Sequence, residues 1–390
     1  MRLGIISDSH HYYDQAGGLH NLTVLTRQFG CWANLFEEVV ICAPLLPGSP
    51  PVSHSPYQNE KIRLLPVSVA GGQGVKAKWH LLQQMKGWWR TIQQLLAEVD
   101  AIHIRCPNNI SILGLLALQW TSHLRQAVYT GTWPGYSGEP LTYRWQRWFL
   151  RRHFRGPVAV YGEWPGQPDH IVSSFTPTYS QTDWDTETGR VVERITRLER
   201  WTCLPQPLQL VTVGALSENK NQQMVIRLVA ALKQDGVEAV LHLLGEGASR
   251  PRLEALTQEL GITGQVHFHG YTPATQVREF YRQADFVVQA PRAEGFGKVP
   301  VEAFFHGVIP LLSDVNLSQQ LVGQGSRGRC FPLDDLDFLR QELLTLSHQP
   351  VTMAELIRQG RTYAETQTLE AWQEHLQTML NRFWGDCWHL

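Results

Sequence analysis

Short runs of β-branched and apolar residues recur along this chain, each separated from the next by enough sequence for one amphipathic helix, and that alternation restricts the fold more than any other feature. Strands joined through a crossover helix run parallel, because a tight turn reverses the chain and a helix laid across the sheet does not. Strands are expected near Leu3–Ser7, Val39–Ala43, Ile62–Val67, Ala101–Arg105, Ala127–Thr130 and Val158–Tyr161, with helices near 18–29, 79–97, 110–124 and 142–153. A second series follows, near Leu208–Val213, Ala239–Leu244, Val266–His269, Phe286–Gln289 and Val308–Leu312, and the chain closes in helical segments near 353–366 and 368–384. The two prolines of Leu204-Pro-Gln-Pro207 favour an extended linker and mark a hinge between the series.

With 390 residues the chain can bury two cores. The expected fold class is α/β, two Rossmann-like domains facing a central cleft. The domains are residues 1–203 and 204–367, with the last helix, about 368–390, placed to pack back on the first domain. The longest mostly apolar run, Ile110–Trp120, is too short to span a bilayer, and the N-terminus reads as a strand instead of a leader, so a cytoplasmic protein is expected. Six cysteines without a Cys-x-x-Cys pair offer neither a disulfide framework nor a zinc site. Net charge is -1, yet residues 1–160 carry +7 and the remainder -8, and most of the basic excess falls between Lys61 and Arg155.

One segment carries more chemistry than the rest. Ala290-Pro-Arg-Ala-Glu-Gly-Phe-Gly-Lys-Val-Pro-Val-Glu-Ala303 sets Glu294 and Glu302 around a turn that opens a helix, with Pro300 tolerated in its first turn. Gly295 and Gly297 let backbone approach a ligand, and the amides of Gly295, Phe296, Gly297, Lys298 and Val299 form an anion-binding helix mouth suited to a diphosphate. Glu302 lies about 7 Å along the axis from Gly297, so one carboxylate can reach sugar hydroxyls while the other reaches a ribose. Three further loops stand where strands should end: Val213-Gly-Ala-Leu-Ser-Glu-Asn-Lys220, Leu243-Leu-Gly-Glu-Gly247 and Phe268-His-Gly-Tyr-Thr272. Ligands of open α/β sheets collect at those carboxyl ends.

The order and spacing of these four segments resemble the retaining GT-B glycosyltransferases of family four, over most of residues 208–325. The resemblance implies sugar transfer from a UDP- or GDP-sugar to a hydroxyl of a glycan or lipid-linked acceptor in cell-surface polysaccharide synthesis. It implies no cofactor and no metal beyond that co-substrate. Under it Glu294 holds the transferred sugar, Lys220 neutralises the departing phosphate and Glu302 binds the ribose. Gly270, Tyr271 and Thr272 meet the base beside a wall formed by Gly245 and Gly247. Gly17 and Gly18, opening a helix, resemble the glycine pair that approaches the phosphates from the acceptor side.

Two departures stand out. Ala215 occupies the place of the family's second phosphate-binding cation, an arginine, for which Arg292, Lys298 or Arg105 could substitute. Tyr129-Thr-Gly-Thr-Trp133 occupies the place of an active-site histidine. His10, His11, His103, Arg105 and Trp133 are the acceptor-side candidates, with structural roles equally open to them. These departures admit a second class, a non-catalytic relative that binds nucleotide sugar or glycan as an assembly partner.

Two stretches, Lys76–Arg90 and Tyr143–Arg152, pair cations with indoles in a manner suited to an anionic membrane face, a basic solvated face being the alternative. No nucleic-acid recognition motif accompanies them. Asp183-Trp-Asp185 matches a metal-binding pattern of another fold, but its polar, turn-rich surroundings argue against that use.

Overall fold

The computed structural model describes residues 1–69, 75–136 and 138–388, with the side chains of 75–82, 386 and 387 outside the description. The sequence expectation for Lys76, Lys78 and Trp79 therefore lies outside the described residues. The chain divides into two units, Met1–Pro177 with Leu369–Leu390, and Thr178–Thr368.

The first unit contains, in order, β1 (Arg2–Ile6), β2 (Tyr12–Tyr13), β3 (Leu19–Leu22), α1 (Thr23–Leu35), β4 (Glu38–Pro44), β5 (His54–Pro56) and β6 (Ile62–Val67). There follow α2 (Val75–Glu98), β7 (Ala101–Cys106), α3 (Asn109–Ala117), β8 (Leu124–Tyr129), α4 (Leu141–Arg152), β9 (Val158–Tyr161) and β10 (Ile171–Ser174). Its main sheet is parallel in the order β10-β9-β8-β7-β1-β4-β6. Leu3, Ile5, Ile6, Val39, Val40 and Ile41 are all fully buried, which is why these strands read as continuous apolar runs: both faces of a parallel sheet are covered. Asn108 starts α3 by accepting from the Ser111 amide while the Ser111 hydroxyl accepts from the Asn108 amide.

The second unit begins with α5 (Gln181–Leu198), β11 (Leu208–Val213), α6 (Gln222–Gln234), β12 (Ala239–Leu244), α7 (Arg250–Glu259), β13 (Val266–Gly270) and α8 (Ala274–Gln283). It continues through β14 (Phe286–Gln289), α9 (Lys298–Phe305), β15 (Ile309–Ser313), α10 (Ser318–Leu321), β16 (Arg329–Phe331), α11 (Leu336–Ser347) and α12 (Pro350–Glu365). Its six parallel strands run β13-β12-β11-β14-β15-β16, the Rossmann order, in which strand direction of travel reverses between β11 and β14. The final helix, α13 (Leu369–Trp384), returns to the first unit, where Trp372 meets Trp32 edge-on at 6.4 Å and the Trp384 indole donates to the Arg125 carbonyl at 3.3 Å.

The division differs from the one expected at residue 203. Residues 178–203 belong to the second unit because α5 is bound to α8 and its neighbours: Asp183 pairs with Arg278 at 2.7 Å, Glu187 with Arg282, and Arg194 with Asp285 at 3.5 Å. Val191 fills the space above Gly307, where an added Cβ would lie 2.9 Å from its methyl group. The expected hinge at Pro205 is likewise absent. Leu204 is buried in the core of the second unit and its amide donates to the Ser347 carbonyl at 2.8 Å, so this stretch is interior to one unit, and the chain passes between units at 177/178 and 368/369.

Asp183 stands in the first turn of α5 and not in a turn-rich stretch. Its carboxylate closes a capping box with Ser180 and pairs with Arg278, which accounts for it without a metal.

Candidate functional site

The reversal point of the second unit brings together the loops that follow β11 and β14. Asn219 joins them: its side chain donates to the Ala293 carbonyl at 2.9 Å and accepts from the Ala293 amide at 3.1 Å, while its own carbonyl accepts from the Arg292 amide at 2.7 Å. That clamp fixes the neighbours of Asn219 and Ala293, and Lys220 Nζ thereby donates to Glu294 Oε2. Both side chains stay about a quarter to a third exposed, 24% and 30%, so the ion pair lines a surface that a ligand can reach. Asn316 holds the Glu294 carbonyl from the other side.

Gly297 precedes α9 with φ 75° and ψ 79°, a conformation that strains any residue bearing a Cβ, and no side chain caps the helix. A helix start attracts an anion through its amides and the positive end of its dipole. Lys298 and Val299 form the first two positions, Pro300 lies within the first turn as the sequence suggested, and Phe296 is buried beneath the loop.

Glu302 sits in the second turn of α9 with each oxygen engaged: the Thr178 hydroxyl donates to Oε1 at 3.1 Å and the Tyr281 hydroxyl to Oε2 at 2.8 Å. Tyr281 is wholly buried, and desolvation, with Glu302 next, raises its hydroxyl well above its ordinary pKa, so it remains a donor.

Gly245 and Gly247 have a structural reason to be glycine. A Cβ on Gly245 would fall 2.1 Å from the Gly214 carbonyl oxygen, and one on Gly247 would fall 2.2 Å from that of Leu216. The two loops thus pack backbone against backbone, stitched by the Gly214 amide to the Leu244 carbonyl and by the Leu216 amide to the Glu246 carbonyl, both at 2.9 Å. Beyond them Gly270 takes φ 69° under the Glu246 carboxylate, Tyr271 projects with 69% of its surface exposed, and the Thr272 hydroxyl donates to the Gly270 carbonyl at 3.2 Å. The expected substitute cation Arg292 holds Asp334 through both terminal nitrogens, at 2.7 and 3.0 Å.

The first unit corrects several expectations. Gly17 and Gly18 do not open a helix, since α1 begins at Thr23. They turn the chain between β2 and β3, closed by the Gly17 amide on the Asp14 carbonyl at 3.1 Å and the Gly18 amide on the Asp14 carboxylate at 2.8 Å. Their amides are therefore already used. His103 lies in the middle of β7, 2% exposed, with Nδ1 donating to Gln126 and its ring tilted against Trp32 at 4.9 Å. Burial lowers its pKa to about 3, and no acceptor can reach it. His11 is equally enclosed, between the Ser9 carbonyl and the Tyr57 hydroxyl at 3.0 Å each, and burial lowers it to about 4. Trp133 is a core residue, 4% exposed, packed edge-on against Tyr129 and donating to Gln167 at 3.2 Å, which leaves no indole face for a sugar.

His10 and Arg105 remain at the carboxyl ends of β1 and β7. Arg105 lies over the Phe29 ring, 5.7 Å from its centroid. His10 lines a pocket of about 230 Å³ with Asp8, Trp88, Asn108, Ile110 and Tyr143. Asp8, which the sequence did not single out, faces Arg105 and His10 and bonds the Asn108 side chain. Asn219, Tyr281 and Thr178 were also missed, since each acts on a partner distant in the sequence.

No helix among the described residues is long and apolar enough to cross a membrane, and no group of three or more His, Cys, Asp or Glu side chains among them is placed to hold a metal ion.

Residues 202–363 match the sequence model of the glycosyl transferases group 1 family. Over 167 residues the chain is 30% identical to the lipopolysaccharide core biosynthesis glycosyltransferase LpsE of Rhizobium meliloti, covering 43% of this chain and 44% of that protein. The chain spans less than half the length of the curated relatives it matches. Its fold is similar to that of a sucrose-phosphate synthase from Thermosynechococcus elongatus, with a TM-score of 0.72 at 17% identity over 98% of this chain and 99% of the other. It is similar too to Anabaena Alr3699/HepE, solved in complex with UDP and glucose, with a TM-score of 0.71 at 14% identity over 98% and 99%. The likeness to the glycosyl transferases group 1 family thus lies within the second unit of this chain, and the likeness to the two solved structures is one of fold.

Proposed function

We propose that the protein is a retaining glycosyltransferase of family four that moves a sugar from a UDP- or GDP-sugar to a hydroxyl of a glycan or lipid-linked acceptor in cell-surface polysaccharide synthesis. The observation that carries this reading is the Lys220–Glu294 pair at the mouth of α9, with Glu302 one turn further into the same helix. In the proposed reaction the bond between the anomeric carbon and the diphosphate oxygen breaks and the bond to the acceptor oxygen forms on the same face. The acceptor proton passes to the leaving phosphate. Lys220 leaves its carboxylate partner for the growing phosphate charge, the α9 amides add their dipoles, and Glu294 turns to the hydroxyls of the sugar, so that charge is met by groups already in place. The reaction as proposed takes no resident cofactor or metal.

Among solved structures of similar fold, Anabaena Alr3699/HepE binds UDP and glucose, which supports a nucleoside diphosphate donor here. The acceptor side is assigned to the first unit, at Asp8, His10 and Arg105. Contact with an anionic membrane on its cytoplasmic side is proposed through the outer face of α4, where Leu141 and Trp148 are 77% and 51% exposed among Arg144, Arg151 and Arg152. Sedimentation with anionic liposomes should fall when Arg151 and Arg152 become glutamate.

The second reading, a non-catalytic binder of nucleotide sugar, is favoured by Ala215 and by Thr130-Gly-Thr132 in place of a histidine. Turnover of UDP- and GDP-sugars by the wild type, lost in Glu294→Ala, supports the enzyme. Donor binding without any turnover in either protein supports the binder.

A further inference from the structure

Glu302 has each of its oxygens fixed by a separate hydroxyl from a distant part of the second unit. Tyr281 approaches from the last turn of α8 and Thr178 from the first residue of the unit. The tyrosine cannot swing away. Its ring is fully buried and stacks on His306 at 5.4 Å and 16°, and His306 is itself held between the Tyr179 hydroxyl at 3.2 Å and Glu187 at 3.3 Å. An ionised carboxylate offers about four acceptor positions; two hydroxyls occupy one on each oxygen and leave the others to a ligand. A glutamate free to rotate would lose side-chain entropy on binding, and one already seated avoids that cost.

Resting on the reading of the α9 mouth as the donor site, we propose that Tyr281 and Thr178 are positioning residues that hold the Glu302 carboxylate in the orientation that accepts the two ribose hydroxyls of the donor nucleotide. Neither touches the nucleotide. They act through Glu302.

The test compares binding of UDP, GDP and their 2′-deoxy forms by calorimetry to the full chain and to Tyr281→Phe, Thr178→Val, Thr178→Ser and Glu302→Ala, with the thermal midpoint of each recorded. Tyr281→Phe keeps the ring and removes only the donor. The expected result is a loss of about threefold to tenfold in affinity for the ribonucleotide, a smaller loss for the 2′-deoxy nucleotide, and no further loss when Tyr281→Phe is combined with Glu302→Ala. Thr178→Ser should bind like wild type and Thr178→Val should not. A purely structural tyrosine would lower the midpoint and weaken both nucleotides alike, with the same loss in the Glu302→Ala background, and that pattern overturns the assignment. Unchanged binding by Tyr281→Phe beside weakened binding by Glu302→Ala overturns it too. If Glu302→Ala binds every nucleotide as wild type does, the donor reading of α9 fails first, and this assignment with it.

Discussion

Ala215 stands between Gly214, whose carbonyl oxygen packs against Gly245, and Leu216, which is buried, so its side chain is the exposed one of that turn. An arginine there adds a second cation beside Lys220 without entering the core. Charge-assisted contacts to phosphate contribute about 1.5–3 kcal/mol, so Ala215→Arg is expected to tighten UDP or GDP binding by about tenfold or more, read by calorimetry at fixed salt. Unchanged affinity would place that turn away from the diphosphate. The candidates Glu294 and Lys220 were legible because both follow strands that end in glycine-rich loops, and loops at strand ends converge wherever the strand order reverses. Asn219, Tyr281 and Thr178 were not, because each acts on a partner 74, 21 or 124 positions away. Such pairings are set by how helices seat on the sheet and leave no local pattern. His103 misled for the opposite reason: it alternates along β7 like any strand residue, and only the packing of Trp32 over it shows that its side of the sheet is closed.

Elements were easier to find than to assign. The parallel strands announced themselves as apolar runs, but Leu19–Leu22 was absorbed into a helix because a four-residue antiparallel strand carries too few alternations to outvote the helical period that follows. Helix α5 was not expected at all: its polar surroundings read as turns, and the segment fell within the first domain because the boundary was set at residue 203. Its charges decide which unit it joins. Glu187, its side chain 3% exposed, receives Arg282 on one side and His306 on the other, and these partners hold its carboxylate far below the usual range against the desolvation that opposes them. Removing one member of a buried pair leaves the other uncompensated, so Glu187→Gln is expected to destabilise the second unit by about 3 kcal/mol, measured by denaturant unfolding. The exposed pair Arg252–Glu218, at 3.4 Å and with both side chains mostly in solvent, is expected to change stability by less than about 1 kcal/mol when broken.

For the molecule as a whole, buried neutral histidines set the response to acid. Burial lowers His11 and His242 to about 4 and His103 to about 3 from an ordinary value of 6.5. Well above pH 6.5 these rings are neutral in both folded and unfolded chains and contribute no pH dependence. As pH falls through 6.5 the unfolded chain takes up protons that the folded chain refuses, so stability declines until the folded values near 3 to 4 are reached. The carboxylates with lowered values, Asp14, Glu98, Asp183 and Glu187, lose their support as pH falls through their ordinary values of 3.8 for aspartate and 4.5 for glutamate. The interval between pH 6.5 and 4.5 is therefore where the histidines act, opposed by Asp8 and Asp285, which burial raises from 3.8. Thermal midpoints are expected to drop across it, and His103→Leu should flatten the drop even if it lowers every midpoint; an unaltered slope would contradict the burial of that ring.

The return of α13 to the first unit bears on how the chain is made. Trp32 of α1 and Phe36 just after it lie against Trp372 and Trp384, more than 330 residues further along the sequence. A ribosome delivers the first half of that aromatic cluster long before its second half, so the first unit waits for α13 before its apolar surface closes, while the second unit is one continuous span. A circular permutant that starts at Leu369 is expected to be released from that wait.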